Sequence, residues 1–509
     1  MLINRRKNAI RGTVYGLILK VFQIVFPFAI RTVFIYTLGI QYLGLNSLFT
    51  AVLQVLNLAE LGVSSALVFS MYKPIAEDDR DKICQLMNLY RTYYRIIGLV
   101  VLVAGLCMLP FIPRLIKGTV PADINIYVIY LMNLFASVLS YWLFAYRNSL
   151  FAAHQRNDVV SIITICVNFV IYIAQIMSLL FVKNYYLYLS TNILGQIIIN
   201  IASAIASEKY FPGYSPKGTL PVEERKKIDR KVRDLFTAKI GMVINNSVDS
   251  IVISFFLGLE LLAVYQNYYY VISSLMAMFN IFFGACNAGI GNSLVVRDAE
   301  ENKKMLYNIN HIVFAAINFC CCCLVSLYQP FMQKWVGTDY MLDFSFVLLF
   351  ALYLFAEEAP RTLIVFKDAG GIWKEDRFRP LLSATVNLVL NLLLTRFIGL
   401  YGIIISTIFA LLTVSYPWLI LNINKRLFKI NIRKYFLRVV AYTIITAADV
   451  AITYFICSHI ALENVWLTLG FRLLVCVAVS SLNFVVAFWK TDETKYMFQI
   501  ARKLMKRKE

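Results

Sequence analysis

Charge is what this chain has least of. Only 15% of its 509 residues are Asp, Glu, Lys or Arg, while 60% are hydrophobic and 15% aromatic; a soluble globular domain carries about 25% charged residues. With so little polar surface the chain cannot cover its apolar side chains in water, and a soluble fold is excluded. Histidine is scarcer still. His154, His311 and His459 share no spacing, so no zinc site and no histidine-based catalytic centre is expected. The ten cysteines lie mostly inside apolar stretches, including the run Cys320 to Cys323, and neither a disulfide framework nor a metal site fits their spacing. Nucleotide-binding glycine fingerprints are missing from the longest polar break.

What fills the chain instead is a succession of apolar stretches, each near the roughly 20 residues that cross a bilayer as a helix. Fourteen are expected: 13–38, 43–70, 92–113, 124–146, 159–182, 187–206, 235–258, 262–292, 308–330, 344–366, 380–398, 402–422, 436–457 and 464–489. The fold class is therefore an all-α polytopic membrane protein. The basic start Asn4-Arg5-Arg6-Lys7 leads directly into a spanning stretch, so no cleavable signal is expected.

An even number of spans puts both termini on one side. The termini and the breaks that share their side hold 40 of the 49 Lys and Arg residues; the opposite breaks hold five and the spans four. Basic residues favour the cytoplasm, so both termini are expected there. The net charge of +20 is then a topology signal, and no nucleic-acid partner is needed to explain it.

The longest break, around 208–239, carries Phe-Pro-Gly-Tyr-Ser-Pro and then Glu223-Glu224-Arg225-Lys226-Lys227. It reads as a linker with an amphipathic surface helix that divides the first twelve spans into six and six. The expected organisation is an N-terminal lobe at 1–207, the linker at 208–234, a second lobe at 235–424, two additional helices at 425–489 and a basic tail at 490–509. An offset of 219 residues sets Leu38-Gly39 on Leu257-Gly258, Lys20 on Lys239, and Val167-Asn168-Phe169-Val170 on Val386-Asn387-Leu388-Val389. Coincidence among apolar residues is the plain explanation of one such match; two at one offset point to a duplicated six-helix unit. Parallel repeats of this kind are a transporter architecture.

Ionisable residues inside spans cost about 2.5–3.5 kcal/mol each on insertion scales, so they normally face a cavity or a partner. On the first span Pro27 and Arg31 each lie about 20° from Lys20 around the helix. Lys20 could instead snorkel to the interface. Asn46, Thr50, Asn57, Glu60 and Ser64 share a face of the second span. Glu60 could pair with Arg31, bind a coupling cation or carry a proton; a structural ion pair is the plain alternative. Span seven repeats the theme with Lys239, Asn245, Asn246, Asp249 and Ser250. In span ten, Glu357 and Glu358 stand four and three residues before Arg361, so one of them is expected to pair with it. Asp449 and Arg472, in the last two spans, are expected to pair with each other. Tyr268-Tyr269-Tyr270 with Asn280, Asn287 and Asn292 suits stacking on sugars, although tyrosine is also a common interface anchor.

The order of Arg11-Gly12, Pro27-Phe28, Arg31-Thr32, Leu38-Gly39, Tyr42-Leu43-Gly44-Leu45-Asn46, Leu58-Ala59-Glu60-Leu61-Gly62 and Tyr72-Lys73-Pro74 resembles the polysaccharide repeat-unit flippases. These belong to the multidrug/oligosaccharidyl-lipid/polysaccharide exporter superfamily. Trp335-Val336-Gly337, Phe366-Lys367-Asp368-Ala369-Gly370, Asp376, Pro380, Asn387 and Asn391 agree with it. The resemblance implies two parallel six-helix lobes plus two C-terminal helices in the bacterial cytoplasmic membrane. It implies alternating access around a central cationic cavity that carries undecaprenyl-pyrophosphate-linked oligosaccharide outward. Polysaccharide polymerases and glycosyltransferases are the implied neighbours, with membrane lipid around the chain; no cofactor, no metal and no enzymatic activity are expected.

By position Arg31 matches the arginine of the family's first-helix motif and Glu60 the acidic position of its second. The remaining assignments rest on helical faces. Lys20, Arg31, Asn46, Lys239, Asn246 and Arg361 form the substrate-binding set, and Glu60, Asp249 and Glu357 are candidates for ion coupling. A lipid II flippase and a cation-coupled multidrug exporter are the nearest alternatives. A membrane glycosyltransferase or polymerase is disfavoured by the short breaks between spans.

Overall fold

The computed structural model describes residues 5–460 and 462–506; within them, nothing is described of the side chains of residues 5–10, 13, 237, 238, 246, 288, 501 and 503–506. Twenty α-helices joined by short 3₁₀ and π segments account for nearly all of it, with no strand among the described residues. That outcome follows from the solvent. In hydrocarbon every backbone N–H and C=O must be satisfied within the segment, and a helix does this locally.

The first half comprises α1 (Arg5–Thr37), α2 (Ile40–Leu56), α3 (Val63–Glu77), α4 (Arg80–Met108), α5 (Ile126–Trp142), α6 (Asn148–Ala153), α7 (Asn157–Met177), α8 (Tyr185–Tyr210) and α9 (Val222–Leu257). There follow α10 (Leu259–Val296), α11 (Ala299–Val336), α12 (Phe344–Glu358), α13 (Arg361–Ala369), α14 (Trp373–Asp376), α15 (Arg379–Ile398) and α16 (Leu400–Ala410). The chain ends with α17 (Tyr416–Arg426), α18 (Ile432–Ser458), α19 (Val465–Ala487) and α20 (Asp492–Lys506).

Twelve segments are long and apolar enough to span a membrane, and α5 with the segment Ala145–Ala153, bent by 46°, makes a thirteenth. The expected span at 344–366 is present as two shorter helices, α12 and α13, parted at Ala359-Pro360. Pro360 lacks an N–H and its ring crowds the preceding turn, which breaks the helix there. The all-α polytopic fold is thus as read from the sequence.

Helix starts are marked by polar caps. Asp79, Asn125, Asn184, Asp298, Asn431 and Asn464 each accept backbone N–H groups at the first turn of α4, α5, α8, α11, α18 and α19. Two junctions need glycine. Gly39 joins α1 to α2 at φ 103°, ψ 168°, and Gly258 joins α9 to α10 at φ 98°, ψ 173°, a region of backbone space closed to side chains with a Cβ. The two positions are 219 residues apart, and the same offset relates Gly118 (φ 94°) to Gly337 (φ 87°). The Gly39 and Gly258 junctions are those the 219-residue offset already paired in the sequence, and Gly118 with Gly337 adds a second pair of positive-φ glycines at that offset.

The surface helix expected inside 208–234 is not a separate element. It is continuous with the seventh span, and α9 runs unbroken for 36 residues. Between 221 and 257 there is neither proline nor a backbone cap to end a helix, and Gly241 alone is tolerated in its interior.

By packing, the chain divides into two compact units, Met1–Ala263 and Val264–Glu509. In the first, α1 packs along α7, α2 and α3 along α9, and α5 between α4 and α8. The α1 contact is an aromatic seam: Phe22 and Phe26 meet Tyr172, and Phe34 meets Tyr185 and Tyr188 of α8. In the second unit α11 is the central helix, packed on α12, α18 and α19, and 61% of its spanning window is buried, against 17% for α19 at the periphery.

Candidate functional site

Arg31 is half-buried on α1, one turn before Phe34, and interacts electrostatically with Tyr188. Lys20, three turns earlier on the same helix, is exposed. The face expected from helical geometry is therefore split by exposure: Arg31 is half-buried and Lys20 exposed.

Glu60 closes the 3₁₀ turn Asn57–Glu60 that interrupts the second span between α2 and α3. Its carboxylate accepts a 2.5 Å hydrogen bond from the Tyr94 hydroxyl, which in turn accepts from Tyr90 at 3.0 Å; Tyr141 of α5 lies close enough to interact electrostatically with Glu60. Tyrosines from α4 and α5 hold this carboxylate, in place of the Arg31 pairing that the sequence left open. Beside it Ser137 donates to Asn57 at 2.9 Å. Asn46 is half-buried on α2, where its carbonyl accepts from Thr50 at 2.8 Å.

A run of polar contacts ties α9 to this broken span. Lys239 Nζ donates to Ser65 Oγ at 3.3 Å and Ser247 Oγ donates to Gln54 Oε1 at 3.1 Å. Toward the end of α9, Ser254 donates to the carbonyl of Leu115 at 2.7 Å, and Lys117 Nζ to the carbonyl of Phe256 at 2.7 Å. Asn245 and Asp249 are half-buried on the same helix. The side chain of Asn246 lies outside the described residues. Small residues allow the close approach: a Cβ on Gly44 would sit 2.1 Å from the Leu259 carbonyl oxygen, and one on Gly62 would sit 2.7 Å from Leu235 Cβ.

In the second unit Glu358 is fully buried and pairs with Arg361 at 3.4 Å across the Pro360 break, with Arg361 18% exposed. Glu357 is half-buried beside it and is the glutamate not used in that pair. The expected Asp449–Arg472 pair does not form. Asp449 accepts from Asn318 at 2.7 Å and Asn483 at 2.9 Å. Arg472 donates to the carbonyl of Ile460 at 2.9 and 3.1 Å and to that of Ser326 at 3.1 Å. Charge-neutral amides satisfy the buried acid, and backbone carbonyls just past α18 and within α11 satisfy the arginine, so neither needs the other.

Sequence reasoning missed the tyrosine cage of Glu60. The i,i+4 spacing of Tyr90 and Tyr94 was a usable signal, but only the fold brings Tyr141 to the same point. It also missed Asp158, buried at the start of α7 between Arg156 (3.0 Å) and Arg11 (3.4 Å), which fastens α1 to α7 beside the first span. Among the described residues no group of three or more His, Cys, Asp or Glu side chains could hold a metal ion. The helices carry cations, amides and tyrosine hydroxyls inside otherwise apolar stretches, groups that can bind a polar ligand.

Among solved structures, one titled as the lipid II flippase MurJ in an inward closed conformation superposes with a TM-score of 0.67, at 14% identity, over 94% of this chain and 99% of that one. Two multidrug resistance MATE family transporters of the MOP superfamily also match. The inward-facing one has a TM-score of 0.56 at 13% identity over 85% of this chain and 99% of its own. The outward-facing one has a TM-score of 0.52 at 14% identity over 86% and 96%. A search of curated proteins by sequence found no match. The sequence pattern of the polysaccharide biosynthesis protein family matches residues 9–286, more than half of the chain including every first-unit residue described above, and the chain belongs to that family.

Proposed function

We propose that this protein is a flippase that carries undecaprenyl-pyrophosphate-linked oligosaccharide repeat units across the bacterial cytoplasmic membrane for surface polysaccharide synthesis. The observation that carries this reading is Arg31: a guanidinium half-buried on a spanning helix and in electrostatic contact with Tyr188, in a chain of the polysaccharide biosynthesis family. A sugar pyrophosphate is polar and multiply anionic, whereas its polyprenyl tail is at home in lipid. Arginine matches phosphate oxygens with a planar fork of donors, and amides and tyrosines match sugar hydroxyls and faces. Arg31, Asn46, Lys239 and Asn246 would bind this head group, and Lys20 and Arg361 are further candidate cations for it. Access would alternate between the two sides, and Glu60, Asp249 and Glu357 are the candidates to couple that change to a cation gradient. Both termini would be cytoplasmic, and polymerases and glycosyltransferases of the same pathway would be the functional neighbours.

Deletion followed by leaflet-resolved analysis of lipid-linked repeat units tests the reading. Accumulation of repeat units on the cytoplasmic face with loss of surface polymer is expected, and Arg31→Ala at normal protein abundance should reproduce it. Unchanged polymer together with loss of resistance to small toxic cations would instead identify a multidrug exporter. Accumulation of lipid II would identify a cell-wall precursor flippase.

A further inference from the structure

A groove of about 360 Å³ lies within the first unit between α4, the start of α3 and the first half of α9. Its chemistry is two-sided. Arg225 and Arg233 stand on α9, two turns apart and both exposed, while Ile96, Ile97, Leu61, Val63, Val232 and Phe236 supply an apolar wall. Asp229 lies between the two arginines, but its carboxylate is engaged by the Tyr93 hydroxyl, which also bonds to Arg225. The local balance of the three charges is +1, and Arg230 and Lys231 on the same stretch of helix raise it further. Ile96 remains 51% exposed at the groove edge.

Arginines above an apolar trough, at the level where an apolar span gives way to a basic helix, match one kind of molecule: a lipid with an anionic phosphate head. We propose that this groove binds an anionic phospholipid of the cytoplasmic leaflet. The phosphate meets Arg225 and Arg233, and an acyl chain lies along Ile96, Val232 and Phe236. Ala59 and Leu61 of its wall flank Glu60 in the chain, so the groove adjoins that carboxylate, while the arginines that would meet the phosphate stand on α9. It rests on the cytoplasmic placement of the first half of α9 given above. Bound there, the lipid would fasten the extramembrane half of α9 to α4, beside the Lys82–Glu224 ion pair at 2.8 Å and the Asn88 bond to the Gly218 carbonyl at 2.8 Å.

The test is native mass spectrometry on the full-length purified protein, titrated with phosphatidylglycerol or with phosphatidylcholine of the same chains. A basic side chain near an anionic lipid surface is worth about fivefold in affinity, so Arg225→Gln with Arg233→Gln should lose about 25-fold for phosphatidylglycerol. Lys226→Gln with Lys227→Gln, which removes the same charge from the same helix outside the groove, should lose far less. Ile96→Trp, filling the trough from its exposed edge, should lower occupancy by both lipids. Equal losses from the two charge pairs, no preference for phosphatidylglycerol in the unmodified protein, or full displacement by inorganic phosphate would each overturn the proposal. None of these readouts depends on transport, so the flippase reading and this site fail independently.

Discussion

The Tyr94 hydroxyl donates to the Glu60 carboxylate at 2.5 Å, at the end of the 3₁₀ turn that interrupts the second span. A hydrogen bond to an ionised group is worth about 1.5–3 kcal/mol. Tyr94→Phe is therefore expected to lower the thermal midpoint measurably in detergent. Glu60→Gln keeps an acceptor oxygen in place and should cost less stability than Tyr94→Phe. If Glu60 couples transport, that milder substitution should nevertheless reduce surface polymer more. The reverse ranking in polymer level would make the carboxylate a structural strut.

Two glycines close together in sequence should respond differently to alanine. At Gly44 a methyl group would meet the Leu259 carbonyl oxygen at 2.1 Å, a backbone atom that cannot rotate aside. At Gly39 nothing lies within 4 Å, and the obstacle is the φ of 103° alone. Strain of the second kind costs about 1–3 kcal/mol. Gly39→Ala should accumulate with a lowered midpoint, whereas Gly44→Ala should lose most folded protein, read by size-exclusion profile and abundance.

Asp449 and Arg472 occupy separate hydrogen-bond networks. Substituting each by Ala should destabilise the protein, and a double-mutant cycle should show coupling within about 0.5 kcal/mol of zero. Coupling of several times that size would mean that the two charges act as a pair.

His154, at the end of α6, stacks on Phe211 at 4.4 Å between centroids and bonds to the Leu150 carbonyl at 2.8 Å. Burial holds its imidazole below the ordinary value near 6.5. The unfolded chain therefore takes up a proton first as pH falls. Its contribution to stability should be full above about pH 6.5 and decline as pH drops from there toward the folded-state value. Midpoints measured from pH 7.5 to 5.5 should fall less steeply in His154→Gln than in the unmodified protein.

The spans were legible because hydrocarbon admits only one kind of backbone, so a count of apolar stretches is close to a count of helices. Breaks within spans were harder. Pro360 announced one, but the 3₁₀ turn at Asn57–Glu60 has no proline, and the close approach of α9 to Gly62 beside it is visible only in the fold. Partners of buried charges were legible only where they are local: Glu358 and Arg361 follow from i,i+3 spacing, whereas the tyrosines around Glu60 and the amides around Asp449 come from other helices. A short-range pattern cannot report them. The helix running through 234/235 was not legible for a related reason. Composition changes there from polar to apolar, but backbone geometry does not, and a helix ignores such a change unless a residue stops it.

An unbroken α9 of 36 residues is about 54 Å long, well beyond a hydrocarbon thickness of about 30 Å. Glu224 is gripped by Lys82 near one end and the Phe256 carbonyl by Lys117 near the other. A rigid tilt of the rod about its middle would carry these two grips in opposite directions, so loosening one would load the other.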